Sequence, residues 1–459
     1  MPPFTRSSCI LSGVMALPLV HVLVINWNGR DHLDECFRSL LQTTSKNCEF
    51  VLLDNASADG SVEFVRANFG SDPRVTIVEL GANLGWSRGN NKGMERALDS
   101  RADYVFLLNN DTATSPECIA ALVETMESDA SIGALSPKIV LYDHPHLLNS
   151  IGLDATLTGS SWDIGLGRLD APRWNEPRDV LGVCGAAMMI RTAILRRTGL
   201  LPTDFDIYYD DLDLCLRIWN AGCRVRYCPD AVVRHKFSAT MGSGQRLRLK
   251  YYLNNRNRLR MILRNYPLSE FARVAWRYIL GECRAVGRSF IDSEWWKVVA
   301  HARSWFAGIA YVPSSIRERF TRKGQGLASA AFWTMIRTDL DFFPGMELPD
   351  KDGWYSEISM AGHRTRPMSL RACLHVNGAP TRIETVAMKT GIAPTRVTAY
   401  LASGERIAEI TEDDPLVITQ ATPIETIVLR AEQSLPSEAS GLPMDVGALL
   451  SITPLGTVP

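Results

Sequence analysis

Four short apolar runs succeed one another in the first quarter of the chain, at residues 20–25, 50–53, 75–79 and 104–108. Each ends in Asn, Asp, Glu or Gly and is followed by a helical pattern. The breaks read Asn26-Trp27-Asn28-Gly29, Asp54-Asn55-Ala56-Ser57-Ala58-Asp59-Gly60-Ser61, Gly81-Ala82-Asn83-Leu84-Gly85-Trp86-Ser87-Arg88-Gly89-Asn90-Asn91 and Asn109-Asn110-Asp111. Helices are expected over 31–42 and 61–69, from the third break through Leu98, and from Pro116 with Ser115 as its N-cap. Strands alternating with helices of about three turns predict an α/β fold with a mostly parallel, doubly wound sheet. Right-handed crossovers put every strand's C-terminal end on one edge, where open α/β sheets bind ligands. Asp111 leaves a strand buried on both faces, so its hard oxygen can hold a divalent metal and, through it, a diphosphate. An Asx-type turn capping the strand accounts for the same residues without a ligand.

Composition narrows the class. Of 459 residues, 46% are hydrophobic and 22% charged, an ordinary globular balance with room for two or three domains. Ten scattered cysteines without metal-finger spacing favour a reducing compartment. Residues 1–18 form a weak signal-peptide candidate, because the apolar part runs straight into the first strand; Met15 is the expected start. No window reaches the ~18 uninterrupted apolar residues of a spanning helix.

The succession Val-Ile-Asn-Trp-Asn (24–28), Leu-Asp-Asn-Ala-Ser-Ala-Asp-Gly-Ser (53–61), Asn-Leu-Gly-Trp-Ser-Arg-Gly-Asn-Asn (83–91) and Leu-Leu-Asn-Asn-Asp (107–111) resembles family 2 of the glycosyltransferases. More narrowly, it is similar to the rhamnosyltransferase-like branch. The resemblance covers residues 20–241 and implies a GT-A type, Rossmann-like sheet. It implies that Asp54 contacts the nucleotide base, that the Asn83 loop shapes the nucleoside pocket and that Asp111 ligates Mg2+ or Mn2+. Asn26, Asn28, Asn55, Arg88 and Asn110 fall along the same donor site. Asn109 stands where many members have a first Asp, which leaves Asp111 the only carboxylate of its motif.

Two later stretches carry chemistry. Gly182-Val183-Cys184-Gly185-Ala186-Ala187 is a turn entering a strand, and it resembles the family's acceptor wall at Gly185. In Phe205-Asp206-Ile207-Tyr208-Tyr209-Asp210-Asp211-Leu212-Asp213 the acids stand at a helix N-terminus, where the dipole favours negative charge. A capped amphipathic helix explains Asp213 as an i,i+4 partner of Arg217. It explains less well two adjacent acids behind two tyrosines. A carboxylate at a cleft edge suits a general base for a sugar hydroxyl. The resemblance makes Asp211 that base and Asp210 its support for acceptor hydroxyls. It also makes His235, at the end of a strand over 225–235, a contact of metal or diphosphate; a structural role is the alternative.

Between residues 246 and 323 there are 17 Lys and Arg against 5 Asp and Glu, a balance of +12 in a chain whose net charge is −1. Trp and Tyr are interleaved. Nucleic acid suits the charge alone, and a solvated helical face needs no partner. Basic helices with aromatics also suit an anionic membrane surface. The sugar-transfer context favours the membrane and no nucleic acid. Beyond a link, short strands split by Gly, Pro and Asn turns predict an all-β, jelly-roll-like sandwich. The expected organisation is an extension (1–18), a GT-A domain (19–245), a basic helical segment (246–343) and a β-domain (344–459).

The expected activity is inverting transfer of a sugar, L-rhamnose from dTDP-rhamnose in particular. The donor is a nucleotide-diphosphate sugar and the acceptor a saccharide or lipid-linked hydroxyl in cell-surface polysaccharide synthesis. The expected location is cytoplasmic, peripheral on the inner face of the membrane. A nucleotidyltransferase would use a similar sheet but wants a Gly-rich, basic phosphate loop after strand one, and Asn26-Trp27-Asn28-Gly29-Arg30 is a poor version. A non-catalytic sugar-binding scaffold would not need both Asp111 and Asp211.

Overall fold

The computed structural model describes residues 17–168, 170–236, 245–321 and 333–336, together with the strands of the C-terminal part given below. The chain divides into two compact units. One comprises residues 1–142, 149–164 and 171–343; the other comprises 143–148, 165–170 and 344–459.

The first unit begins with β1 (Val20–Asn26), α1 (Arg30–Leu41), β2 (Cys48–Asp54), α2 (Ser61–Phe69), β3 (Val75–Glu79) and α3 (Gly85–Asp99). It continues through β4 (Tyr104–Asn109), β5 (Thr112–Thr114), α4 (Cys118–Ser128) and β6 (Ile132–Leu141). Three short strands follow: β7 (Leu148–Ser150), β8 (Leu153–Ala155) and β9 (Ser161–Asp163). Then come β10 (Ala187–Arg191), α5 (Thr192–Thr198), α6 (Asp210–Asn220) and β11 (Arg224–His235). Three long helices close the unit: α7 (Gln245–Asn265), α8 (Leu268–Ile291) and α9 (Trp295–Thr321).

The main sheet runs β3-β2-β1-β4-β10-β6-β11-β5. Strands β1 to β4 are mutually parallel, as the alternating sequence pattern requires. Every residue of β1 is buried, and so are Tyr104 to Leu108 of β4, which is why these strands read as unbroken apolar runs. Their core packs Val22, Val24, Phe106 and Leu108 against Leu33, Phe37 and Leu40 of α1.

Two features depart from a simple doubly wound sheet. Strand β10 enters antiparallel between β4 and β6. The helix expected at Pro116 starts instead at Cys118, with no side chain capping it. The residues before it are held extended: Thr112–Thr114 pair with Val233–His235, and the Thr114 N–H donates to Ser39 Oγ at 3.1 Å. Ser115 therefore ends a strand connection rather than capping a helix. Its carbonyl accepts from Cys118 N–H at 3.1 Å.

In the second unit the strands are β12 (Ile358–Met360), β13 (His363–Met368), β14 (Arg371–His375), β15 (Thr381–Thr385) and β16 (Val397–Leu401). They are followed by β17 (Arg406–Ile410), β18 (Leu416–Ile418), β19 (Thr426–Ala431) and β20 (Ala448–Pro454). They form two antiparallel sheets, ordered β12-β13-β20-β15-β18 and β14-β19-β16-β17. Val397, Ala399, Ile410 and Leu429 are buried, so the second sheet has one apolar face, as the period of two demands.

Candidate active site

The C-terminal ends of β1, β2 and β4 fix the first part of the site. Register places Asn26 opposite Asp54 and Ile25 opposite Asn109. Asn26 Nδ2 donates to Asp54 Oδ1 at 3.1 Å and to Ser57 Oγ at 3.0 Å, while its own Oδ1 accepts from Asn110 Nδ2 at 2.6 Å. Asp54 also accepts from Ser57 N–H, and Asn28 Oδ1 accepts from Ala58 N–H at 2.7 Å. Gly29 is required here by space: a Cβ would stand 2.0 Å from Asn110 Nδ2 and 2.7 Å from Asn26 Oδ1. Asn55, one residue on, ties down the third loop by accepting from Leu84 N–H and donating to the Gly85 carbonyl. Asn83 is exposed and accepts from Gly85 N–H at the start of α3. Asn26, Asn28, Asp54, Asn55, Asn83 and Asn110 thus lie on one continuous edge.

Asp111 and His235 meet because β5 and β11 pair at that point, with Thr112 opposite His235. His235 Nε2 lies 3.4 Å from Asp111 Oδ1, and both side chains are largely buried. His235 Nδ1 is 2.6 Å from Asn149 Oδ1. With Nδ1 turned to that oxygen, Nε2 is the ring nitrogen that faces the carboxylate. The buried Asp111 Oδ1 makes no hydrogen bond of ordinary geometry. Burial pushes the Asp111 carboxyl up, but His235 and then His32 together outweigh it and hold the carboxyl below its usual value. A carboxylate oxygen and an imidazole nitrogen fit a divalent cation that takes its remaining ligands from phosphate and water. No cluster of three or more His, Cys, Asp or Glu among the described residues forms a closed metal cage.

The acidic pair is set at a strained corner. Asp206, Tyr208 and Tyr209 have φ of 66°, 70° and 65°, in the left-handed region that side chains avoid. Tyr209 is the residue before α6, so Asp210 and Asp211 open that helix. Asp211 Oδ2 accepts from Gly185 N–H at 3.0 Å and Oδ1 from Leu212 N–H at 2.7 Å. Asp210 Oδ2 accepts from Ser87 Oγ at 2.5 Å. Burial pushes both carboxyls up; next, the Asp211 charge adds to Asp210, whereas the two backbone N–H groups pull Asp211 back down. Asp210 therefore holds a proton in preference to Asp211, which ionises first. Asp213 lies apart, fully buried against Arg217 at 2.8 Å, a structural pair.

Trp86 joins the two halves. Its Nε1 donates to Asn109 Oδ1 at 3.1 Å, and a Cβ on Gly185 would come within 2.9 Å of its ring and 3.4 Å of Asp211 Oδ2. Arg88 is exposed and turns to the loop before the acids, donating to the Thr203 carbonyl at 3.1 Å.

Several contributors were not singled out by sequence. Asn257 of α7 is wholly buried, and its Nδ2 reaches the carbonyls of Phe205, Ile207 and Tyr208 at 2.8, 3.0 and 3.0 Å. Arg256 donates to the Phe205 carbonyl at 2.8 Å and pairs with Asp206 at 3.0 Å. Together they brace the strained loop from 50 residues downstream. Asn149, Ser87 and the run Asn-Asn-Arg-Asn-Arg (254–258) carry no local pattern that marks them for the site in the sequence.

The sequence model described as "Glycosyl transferase family 2" matches residues 21–196. A Haloferax volcanii protein named "Low-salt glycan biosynthesis hexosyltransferase Agl10" is 26% identical over 240 residues, 52% of this chain and 73% of that one. A Mycobacterium tuberculosis "N-acetylglucosaminyl-diphospho-decaprenol L-rhamnosyltransferase" is 27% identical over 248 residues, 48% of this chain and 76% of that one. Among solved structures, GalNAc-T7 with UDP, GalNAc and Mn2+ aligns over 54% of this chain and 48% of its own, at 16% identity and a TM-score of 0.44. The mannosyltransferase PcManGT from Pyrobaculum calidifontis, with GDP-Man and Mn2+, aligns over 67% and 89%, at 17% identity and a TM-score of 0.41. Residues 21–196 of the first unit thus form a domain that matches the glycosyl transferase family 2 model.

Proposed function

We propose that the chain is an inverting sugar transferase in which Asp211 is the general base. The observation that carries this reading is the unequal acidic pair: Asp210 bonded to Ser87, and Asp211 held by two backbone N–H groups beside Gly185 and Trp86. Asp211 takes the proton of an acceptor hydroxyl as that oxygen attacks C1 of a nucleotide-diphosphate sugar, and the C1–O bond to the diphosphate breaks. One displacement inverts C1. Asp54 and the Asn55-held loop receive the nucleoside, while Asn26, Asn28 and Asn110 order that edge. Asp111 and His235 would hold a divalent cation, Mg2+ or Mn2+, whose charge offsets that of the departing diphosphate.

The donor proposed is dTDP-L-rhamnose, supported by the sequence motifs and by the mycobacterial relative named as a rhamnosyltransferase. That relative's name also specifies a diphospho-decaprenol acceptor, which supports a lipid-linked acceptor here; the place proposed for the enzyme is the inner face of the cytoplasmic membrane. No helix among the described residues is long and apolar enough to cross a membrane. The test is a panel of nucleotide sugars with the purified full chain, with and without Mn2+ or Mg2+. Metal-dependent turnover of dTDP-rhamnose above the other donors is the expected outcome. Turnover of none of them, with or without acceptor lipid, would overturn the reading.

A further inference from the structure

The arginines of α7 are largely spent inside the first unit. Arg256 pairs with Asp206, Arg258 with Glu282, Arg260 with Asp204, and Arg264 with Asp213 and Glu318. What this unit leaves outward is a different surface, on α8 and α9. On α8, Trp276, Ile279, Leu280, Phe290 and Ile291 are 40–81% exposed, at the i, i+3, i+4 spacing of one helical face. Ala272, Cys283 and Gly287 fill the gaps in that stripe. On α9, Trp295, Val299, Phe306 and Ile309 are 55–76% exposed and follow the same spacing. The stripes meet at the turn, where the Phe290 and Trp295 rings stand 4.6 Å apart, edge to face.

Beside the α8 stripe runs a row of exposed cations, Arg273, Arg284 and Arg288, with Arg303 and Arg317 on α9. Glu270 pairs with Arg273, Asp292 lies 3.6 Å from Arg288, Glu294 pairs with Lys297 and Glu282 is buried, so the uncompensated positive charge of this surface rests on Arg284, Arg303 and Arg317. An apolar stripe bordered by a basic row is the pattern of a helix lying in a bilayer interface rather than across it. The 24 residues of α8 make a stripe about 36 Å long. Apolar patches beyond a few hundred Å² are uncommon on soluble surfaces that bind nothing.

We infer that the α8–α9 hairpin is the membrane-docking element of this chain, with its apolar stripes sunk to the acyl boundary and its arginine row at anionic headgroups. This deepens the membrane location proposed above and assigns it to residues outside the site. Attachment is then chiefly apolar, and salt removes only the electrostatic share.

The test is flotation of the full chain with vesicles of phosphatidylcholine, alone or with 30% phosphatidylglycerol, at about 0.1 and 1 M NaCl. Wild type should float with the anionic vesicles and keep a clear fraction bound at high salt. The variant Phe290→Ser/Phe306→Ser should lose at least about tenfold in partitioning at both salts, since each exposed ring buries substantial apolar area in lipid. Arg284→Glu/Arg288→Glu should lose binding only at low salt. Circular dichroism and donor hydrolysis without lipid check that the variants fold. Three results would overturn the inference: no flotation of wild type, flotation untouched by the double serine change, or a fall in oligomeric mass in the serine variant without lipid. The last would make the face an interface between copies. Failure of donor turnover with docking intact would instead count against the transferase reading.

Discussion

The donor edge and the base corner of this unit are built in opposite ways. At the donor edge, Asn26, Asp54 and Asn110 sit at the ends of neighbouring strands, and their mutual hydrogen bonds follow from β-sheet register. These three have ordinary backbones, although Asn28 and Ala56 beside them are left-handed at φ of 50° and 58°, and the edge is complete once the sheet and its turns are formed. At the base corner, three residues of the loop 206–209 are left-handed, at roughly 1–2 kcal/mol each for side-chain-bearing residues. That strain is offset by bonds from another element, Asn257 and Arg256 of α7, at about 1 kcal/mol net per bond. Under the function proposed above, recognition of the donor is a property of the sheet. Placement of the base depends on a helix that carries none of the family motifs.

Asp211→Asn should separate the two regions most sharply. Loss of a positioned base costs about 10²–10⁴ in turnover. Nucleotide affinity, read by calorimetry, should barely change because Asn26, Asp54 and Asn55 are untouched. Full turnover in this variant would remove Asp211 from the mechanism. Asp111→Ala should act on the donor side: diphosphate affinity falls and metal dependence disappears together, with turnover down by about 10², since a metal's charge stabilisation amounts to several kcal/mol. Equal wild-type nucleotide affinity with and without EDTA would show that the Asp111–His235 pair serves something else.

Asn257→Ala tests the brace. Three loop carbonyls lose a donor, so stability should fall by about 1–3 kcal/mol. The base should lose its aim, with kcat down by roughly tenfold or more and nucleotide Kd unchanged. A change in Kd with kcat preserved would mean that the comparison between the two regions is drawn in the wrong place. The last test concerns Asp210 and bears on stability rather than turnover. Its folded carboxyl is raised above the unfolded value, so the unfolded chain releases the proton first as pH rises. Asp210 thus subtracts stability progressively from the ordinary carboxylate range upward. Melting curves of Asp210→Asn and wild type should diverge in that direction, with the variant gaining on wild type as pH rises. A constant or narrowing gap would argue against a buried, proton-holding Asp210.

The same contrast explains what could be read from sequence. The strand ends at 26–29, 54–61, 83–91 and 109–111 announced themselves because fold and site share one local pattern there. Asp210 and Asp211 were visible as an acid pair that a helix cap did not need. Asn149, Ser87 and Asn257 were not visible. Each works through a partner far along the chain, 86, 123 and 49–52 residues away, and no periodicity marks such a pairing. The basic aromatic run from 246 reads as a membrane-facing segment, because its charge and aromatics cannot tell an arginine facing Asp206 from one facing solvent. Antiparallel β10 was similarly hidden, because a short buried strand looks alike in either direction.

The brace from α7 has a consequence for the order in which the molecule becomes competent during synthesis. The N-terminal portion folds first as a chain emerges. Everything at the donor edge, through the Asp111–His235 pair, is available once residue 235 has left the ribosome. The loop at 206–209 must wait about 20 residues longer for Arg256 and Asn257 before its carbonyls find their donors. A nascent chain stalled in that interval would bind nucleotide without being able to transfer sugar.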